Sequence, residues 1–120
     1  MNHMEKKLTR IAVATVGDGK LEDVVSPEFG HSRTFTIIDI EDGEIKNVEV
    51  LEKPAKNMTH GRGPVVGKSL ADKGVNIVVT SEIGPGASAI LEQLGVEIVM
   101  TKAGQKVEDV LREYKLVKRV

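Results

Sequence analysis

Hydrophobic positions change their rhythm along this chain, and each change predicts an element. Residues 8–16, LTRIAVATV, form a β-branched apolar run without clean alternation, the pattern of a central strand covered on both faces. Residues 17–33 then turn polar and carry Gly and Pro over a length no tight turn needs, which makes this loop a candidate for function. Strand character returns at residues 34–40, TFTIIDI. Asp42-Gly43 supplies the positive φ of a two-residue hairpin turn, and residues 45–52 follow with Val48 and Val50 on one face. The first three strands are therefore expected as an antiparallel meander.

The second half is one module written twice. Residues 63–80, GPVVGKSLADKGVNIVVT, and 84–101, GPGASAILEQLGVEIVMT, match at Gly, Pro, Leu, Gly, Val, Ile, Val and Thr. Pro64 and Pro85 suit a first helical turn, where a missing N–H costs nothing, and Gly74 and Gly95 suit the left-handed position that ends a helix. The spacing predicts helix 64–73, strand 75–80, helix 85–94 and strand 96–100. A third helix follows, in which Val107, Val110, Leu111 and Tyr114 make one buried stripe. Glu108 and Asp109 near its start and Arg112 and Lys115 near its end suit the helix dipole. The expected fold is α/β: a five-stranded mixed sheet, meander first and two helix-strand units after, with three helices. If the first strand runs parallel to the last two, loops 17–33, 53–63, 81–84 and 101–104 share one rim with three helix N-termini.

Length and composition narrow the classes. A chain of 120 residues fits a single domain, expected over 8–120 behind a flexible N-terminus of residues 1–7. With 40% hydrophobic residues, two Phe, one Tyr and no Trp, aliphatic side chains fill the core and stacking platforms for bases are scarce. A net charge of -1 gives no field that would draw nucleic acid or anionic lipid, so neither is an expected partner. No apolar run reaches a membrane span and no signal-peptide segment opens the chain, so a cytoplasmic location is expected. Zero cysteines exclude thiolate zinc sites and clusters held by this chain's own cysteines.

The predicted rim collects His31, His60 and Arg62 beside the turns Gly61-Arg62-Gly63 and Gly84-Pro85-Gly86. Helix N-termini present unpaired N–H groups and partial positive charge, so a small anion suits the place. His31 and His60 are candidate metal donors, with the Met58 sulfur nearby. Two imidazoles do not complete a shell, so an anionic cluster that brings most of its own ligands fits better than a bare ion. Other chemistries lack their residues: there is no Walker A sequence, no nucleophilic-serine elbow, and no dinucleotide fingerprint at residues 61–67. The strands IAVAT and NIVVT project no carboxylates for a two-metal nuclease.

Three segments, Ser26-Pro27-Glu28-Phe29-Gly30-His31, His60-Gly61-Arg62-Gly63 and Gly84-Pro85-Gly86-Ala87, resemble in order the dinitrogenase iron-molybdenum cofactor biosynthesis family of small accessory domains. The resemblance spans residues 8–114. It implies a ribonuclease-H-like three-layer sheet and a non-catalytic role in binding or carrying an iron-molybdenum-type or iron-sulfur cluster, or its precursor. It places cofactor binding on His31 and His60, with the turns around Gly61, Arg62, Gly63, Gly84 and Gly86 as the cradle, and cofactor-assembly proteins as partners. Two alternatives come from the same residues: a regulatory module that binds a small anion or nucleotide through Arg62 and Lys102, and an interaction domain that holds no ligand.

Overall fold

A computed structural model describes residues 8–52 and 61–114. Its strands are β1 (Leu8–Thr15), β2 (Thr34–Glu41), β3 (Glu44–Glu52), β4 (Ile77–Thr80) and β5 (Glu97–Met100), and its helices are α1 (Arg62–Asp72), α2 (Pro85–Gln93) and α3 (Val107–Glu113). They form one mixed sheet of order β3-β2-β1-β4-β5. β1 pairs antiparallel with β2 and parallel with β4, β2 pairs antiparallel with β3, and β4 runs parallel to β5.

The unbroken apolar run of β1 has the expected cause. Residues 11 to 15 are fully buried, with Ala12 and Ala14 on one face and Ile11 and Val13 on the other. The alanine face leaves room for α1 and α2, whose Val66, Leu70 and Leu91 pack there with Phe29, Phe35 and Ile37. The opposite face is covered by Val107, Val110 and Leu111 of α3 and by Val25 from the long loop. Helices thus cover both sides of the sheet. The hairpin turn holds Asp42 at φ 54° and Gly43 at φ 82°, both left-handed as a primed turn requires. A bulge in β3 sets in where Asp39 faces Asn47 but Ile40 faces Ile45, leaving Lys46 as the extra residue.

The repeated module closes each helix in the same way. The Gly74 amide donates to Ala71 O at 2.9 Å and the Val75 amide to Leu70 O at 3.2 Å; Gly95 donates to Glu92 O at 3.1 Å and Val96 to Leu91 O at 2.8 Å. Each glycine is left-handed, at φ 80° and 79°, and each valine is buried in the same cluster as the leucine it bonds. This is a Schellman closure with its apolar contact. It corrects the strand starts: Val75 and Val96 end a helix rather than begin a strand, so β4 and β5 start two and one residues later than their hydropathy predicts. Helix α1 also starts earlier than predicted, at Arg62, with Pro64 still inside its first turn. Tyr114 is a further correction: it is 40% exposed, and its hydroxyl donates to Met100 O at 3.0 Å instead of joining the buried stripe.

Candidate functional site

The parallel run of β1, β4 and β5 places the loops that follow them on one rim, together with the starts of α1 and α2. The long loop between β1 and β2 is built there from both ends. At its base the Oγ1 atoms of Thr15 and Thr34 lie 2.6 Å apart, and Ser32 Oγ donates to Thr15 O at 2.8 Å. At its first bend the Asp23 carboxylate accepts from the amides of Gly17 at 2.9 Å, Gly19 at 2.7 Å and Val24 at 2.7 Å. These bonds satisfy three backbone donors that no strand or helix would otherwise use.

The same loop takes up the start of α3. Val107 N donates to Asp23 O at 2.9 Å and Glu108 N to Leu21 O at 3.1 Å, while Val25 exchanges bonds with Gln105 and Gly104. The first amides of α3 are therefore spent inside the protein. The expectation of three helix N-termini available on the rim is corrected for α3, whose first amides are taken.

Phe29 fixes the far part of the loop. Its ring is buried in the core under α1 and α2 and meets the Phe35 ring edge-on, with centroids 5.3 Å apart. Next to it, Gly30 comes so close to α1 that a Cβ there would stand 3.1 Å from Gly63 N and 3.3 Å from Gly63 Cα. A Cβ on Gly63 would in turn stand 3.3 Å from Ala87 Cβ, and one on Gly86 would stand 3.0 Å from Pro64 Cγ. The first loop, α1 and α2 thus pack in direct succession. Arg62 Nε donates to Gly30 O at 3.1 Å, Ser81 Oγ to Ser26 O at 2.7 Å, and Phe29 N to Glu82 Oε1 at 3.2 Å.

Burial of Phe29 on one side of this junction leaves His31 exposed on the rim, directly after the glycine that α1 grips. Gly61 caps α1 in the left-handed conformation, φ 68°, and Gly84 precedes α2 in an extended one. Arg62, Gly63, Gly84 and Gly86 thus lie with His31 on adjoining loops and helix starts. His60 and Met58 lie outside the described residues. Among the described residues no group of three or more His, Cys, Asp or Glu side chains is arranged to hold a metal ion. Lys102 lines a separate cleft of about 400 Å³ with Met100, Gln105 and Tyr114. A second cleft of about 440 Å³ lies at Lys20, Leu21 and Val48. Neither is lined by His31 or Arg62.

Sequence reasoning missed the side chains that hold the junction. Phe29 was legible only as part of a motif, although a lone aromatic in a polar loop of a chain so poor in rings is itself a sign of an anchor. Asp23 sits after two glycines, a spacing that suits a carboxylate collecting turn amides. Ser81 and Glu82 gave no signal.

Known proteins share the sequence pattern and the fold of this chain. The model of the family described as dinitrogenase iron-molybdenum cofactor matches residues 9–116. An uncharacterized protein of Methanocaldococcus jannaschii is 38% identical over 95 residues, which is 79% of this chain and 76% of that one. Among solved structures, a NifB-like protein from Thermotoga is 32% identical with a TM-score of 0.72, covering 90% of this chain and 88% of its own. The apo form of the orange protein from Desulfovibrio gigas is 25% identical with a TM-score of 0.78, covering 92% and 89%. Among the described residues no helix is long and apolar enough to cross a membrane.

Proposed function

Because the chain belongs to the dinitrogenase iron-molybdenum cofactor family, we propose that it binds and carries an iron-molybdenum-type or iron-sulfur cluster, or a precursor of one, without catalysing its chemistry. The observation that carries the reading is the junction of segments 26–31, 61–64 and 84–87, distant in sequence, at Gly30, Gly63 and Ala87. An exposed imidazole beside two helix starts offers a nitrogen donor to a metal and backbone N–H groups to an anionic surface. With no cysteine in the chain, a cargo that carries its own sulfide or other ligands suits these donors.

His31 follows Gly30 and His60 precedes Gly61 in the chain, so each candidate donor lies within two residues of one end of the Arg62–Gly30 tie in sequence. That one relative of this architecture is described in an apo form supports a loaded counterpart. The strand order β3-β2-β1-β4-β5 with β2 antiparallel to its neighbours supports the ribonuclease-H-like assignment, which belongs to the same proposal. Proteins that assemble or receive the cluster are the partners it implies.

Anaerobic incubation with iron-molybdenum and iron-sulfur clusters, followed by metal and sulfide analysis after gel filtration, tests the reading. Uptake by the wild type and its loss in His31→Ala and His60→Ala is the expected result. Equal failure of all three proteins to retain metal removes it. A second reading, a site for a simple anion, is favoured by the guanidinium of Arg62 at a helix start. Stabilisation of the metal-free protein by phosphate, nucleotide or molybdate, abolished in Arg62→Ala, would select that one.

A further inference from the structure

Two side chains of opposite charge hold the backbone that leads into His31. The peptide N–H of Phe29 donates to Glu82 Oε1 at 3.2 Å, and the carbonyl of the next residue, Gly30, accepts from Arg62 Nε at 3.1 Å. Arg62 opens α1, whereas Glu82 lies in the connection from β4 to α2, so each tie comes from just ahead of a different copy of the repeated module.

The Glu82 connection is itself shaped for this contact. Thr80 Oγ1 donates to Glu82 O at 2.9 Å, and Ser81 Oγ donates to Ser26 O at 2.7 Å. Residues 81 and 82 therefore bond segment 26–29 at both of its ends. Glu82 is exposed and fills no part of the core, so packing does not explain its position. A carboxylate accepting a backbone N–H gives a charge-assisted bond, stronger than a neutral one, and its direction fixes the plane of the Glu28–Phe29 peptide. The buried Phe29 ring anchors one side of the segment, Arg62 holds the carbonyl of Gly30, and the exposed His31 is the next residue.

We propose that Glu82 is a positioning residue for the site: its carboxylate orients the segment that presents His31, and so couples the start of α2 to the imidazole donor. The inference rests on the cluster-binding reading for its purpose, but its mechanism is readable without cargo. The hydrogen bond needs an acceptor and not a charge, so Glu82→Gln can keep it and Glu82→Ala cannot.

The test compares wild type, Glu82→Ala and Glu82→Gln by NMR of the metal-free proteins, recording the His31 imidazole signals and the amides of residues 27–32, with thermal unfolding as a control. The same proteins are then tested for retention of an iron-sulfur cluster. In Glu82→Ala the His31 signals shift or broaden and retention falls about two- to tenfold, the loss of one such bond, with little change in midpoint. Glu82→Gln restores both. Unaltered His31 signals in Glu82→Ala, or equal changes in Ala and Gln variants, overturn the inference. A wild type that retains no cluster while its His31 signals respond to Glu82→Ala and recover in Glu82→Gln instead sinks the cargo reading and leaves the positioning role standing.

Discussion

A Cβ placed on Gly30 would stand 3.1 Å from the amide nitrogen of Gly63, closer than a methyl group and a backbone atom tolerate without movement. Neither partner is a flexible side chain: Gly63 belongs to the first turn of α1, and Gly30 is held between Phe29 and Arg62. Gly30→Ala is therefore expected to destabilise the protein by about 1–3 kcal/mol, the range for added volume in a packed contact. Gly84→Ala is the matched control, because nothing lies within 4 Å of a Cβ there. Urea denaturation of both variants checks this. A Gly30→Ala midpoint equal to that of Gly84→Ala would mean that the first loop is not pressed against α1.

Phe29 supplies the apolar side of the same contact. Its side chain is buried among α1, α2 and β2, so Phe29→Ala leaves a cavity and is expected to cost about 3–5 kcal/mol. Phe29→Leu should recover more than half of that loss. Native-state hydrogen exchange adds a local readout: in Phe29→Ala the amides of residues 26–32 lose protection more than those of β1. Uniform loss across the sheet would reduce Phe29 to an ordinary core residue.

Asp23 organises the other half of the loop. Its carboxylate takes three backbone amides, and its own carbonyl accepts the first N–H of α3. Asp23→Ala orphans three donors at once. The expected cost is about 2–3 kcal/mol, less than the sum of three charged bonds because the site is only partly buried. Asp23→Asn keeps an acceptor oxygen and should fall between. Faster exchange at Gly17, Gly19 and Val24 in Asp23→Ala is the local check, and unchanged exchange there would contradict the assignment.

The parts of the molecule legible in the sequence are those that a local backbone rule dictates. Gly74, Gly95, Pro85 and the Asp42-Gly43 turn each impose a conformation on their neighbours, so helix ends and the hairpin followed from a few residues. Where two rules compete, hydropathy misled: Val75 and Val96 read as strand residues but serve the closure of α1 and α2. The junction was legible as three motifs expected on one rim, but its fasteners were not. Phe29 and Glu82 are 53 positions apart, and nothing in either neighbourhood announces the other. The availability of α3 was misjudged for a similar reason, since the carbonyls that occupy its first amides belong to residues 21 and 23.

The rim opposite the candidate site is secured by Arg10, and its behaviour with pH follows from geometry. Arg10 Nε donates to Asp39 Oδ1 at 2.7 Å and Nη2 to Oδ2 at 3.2 Å, while Nη1 donates to Lys73 O at 2.5 Å, the carbonyl that ends α1. The hydrogen bond that Arg10 donates to Asp39 is the main cause that raises the Arg10 pKa above the ordinary arginine value, against the opposing effect of burial. A raised pKa in the folded state means that the stabilisation is complete below the unfolded value and is lost only as pH climbs through the folded one. For arginine that window lies beyond the alkaline range in which proteins are normally studied. Arg10→Lys moves it into reach, because lysine loses its charge near ~10.4, and it also gives up the two-pronged contact with Asp39 and the bond to Lys73 O. The variant should be about 1–2 kcal/mol less stable at pH 7, the loss of bonds to a charged partner at a half-buried site. The gap to wild type should then widen between pH 9 and pH 11, in chemical denaturation followed at each pH. A constant gap over that range would show that Arg10 acts there through packing of its stem and not through its charge.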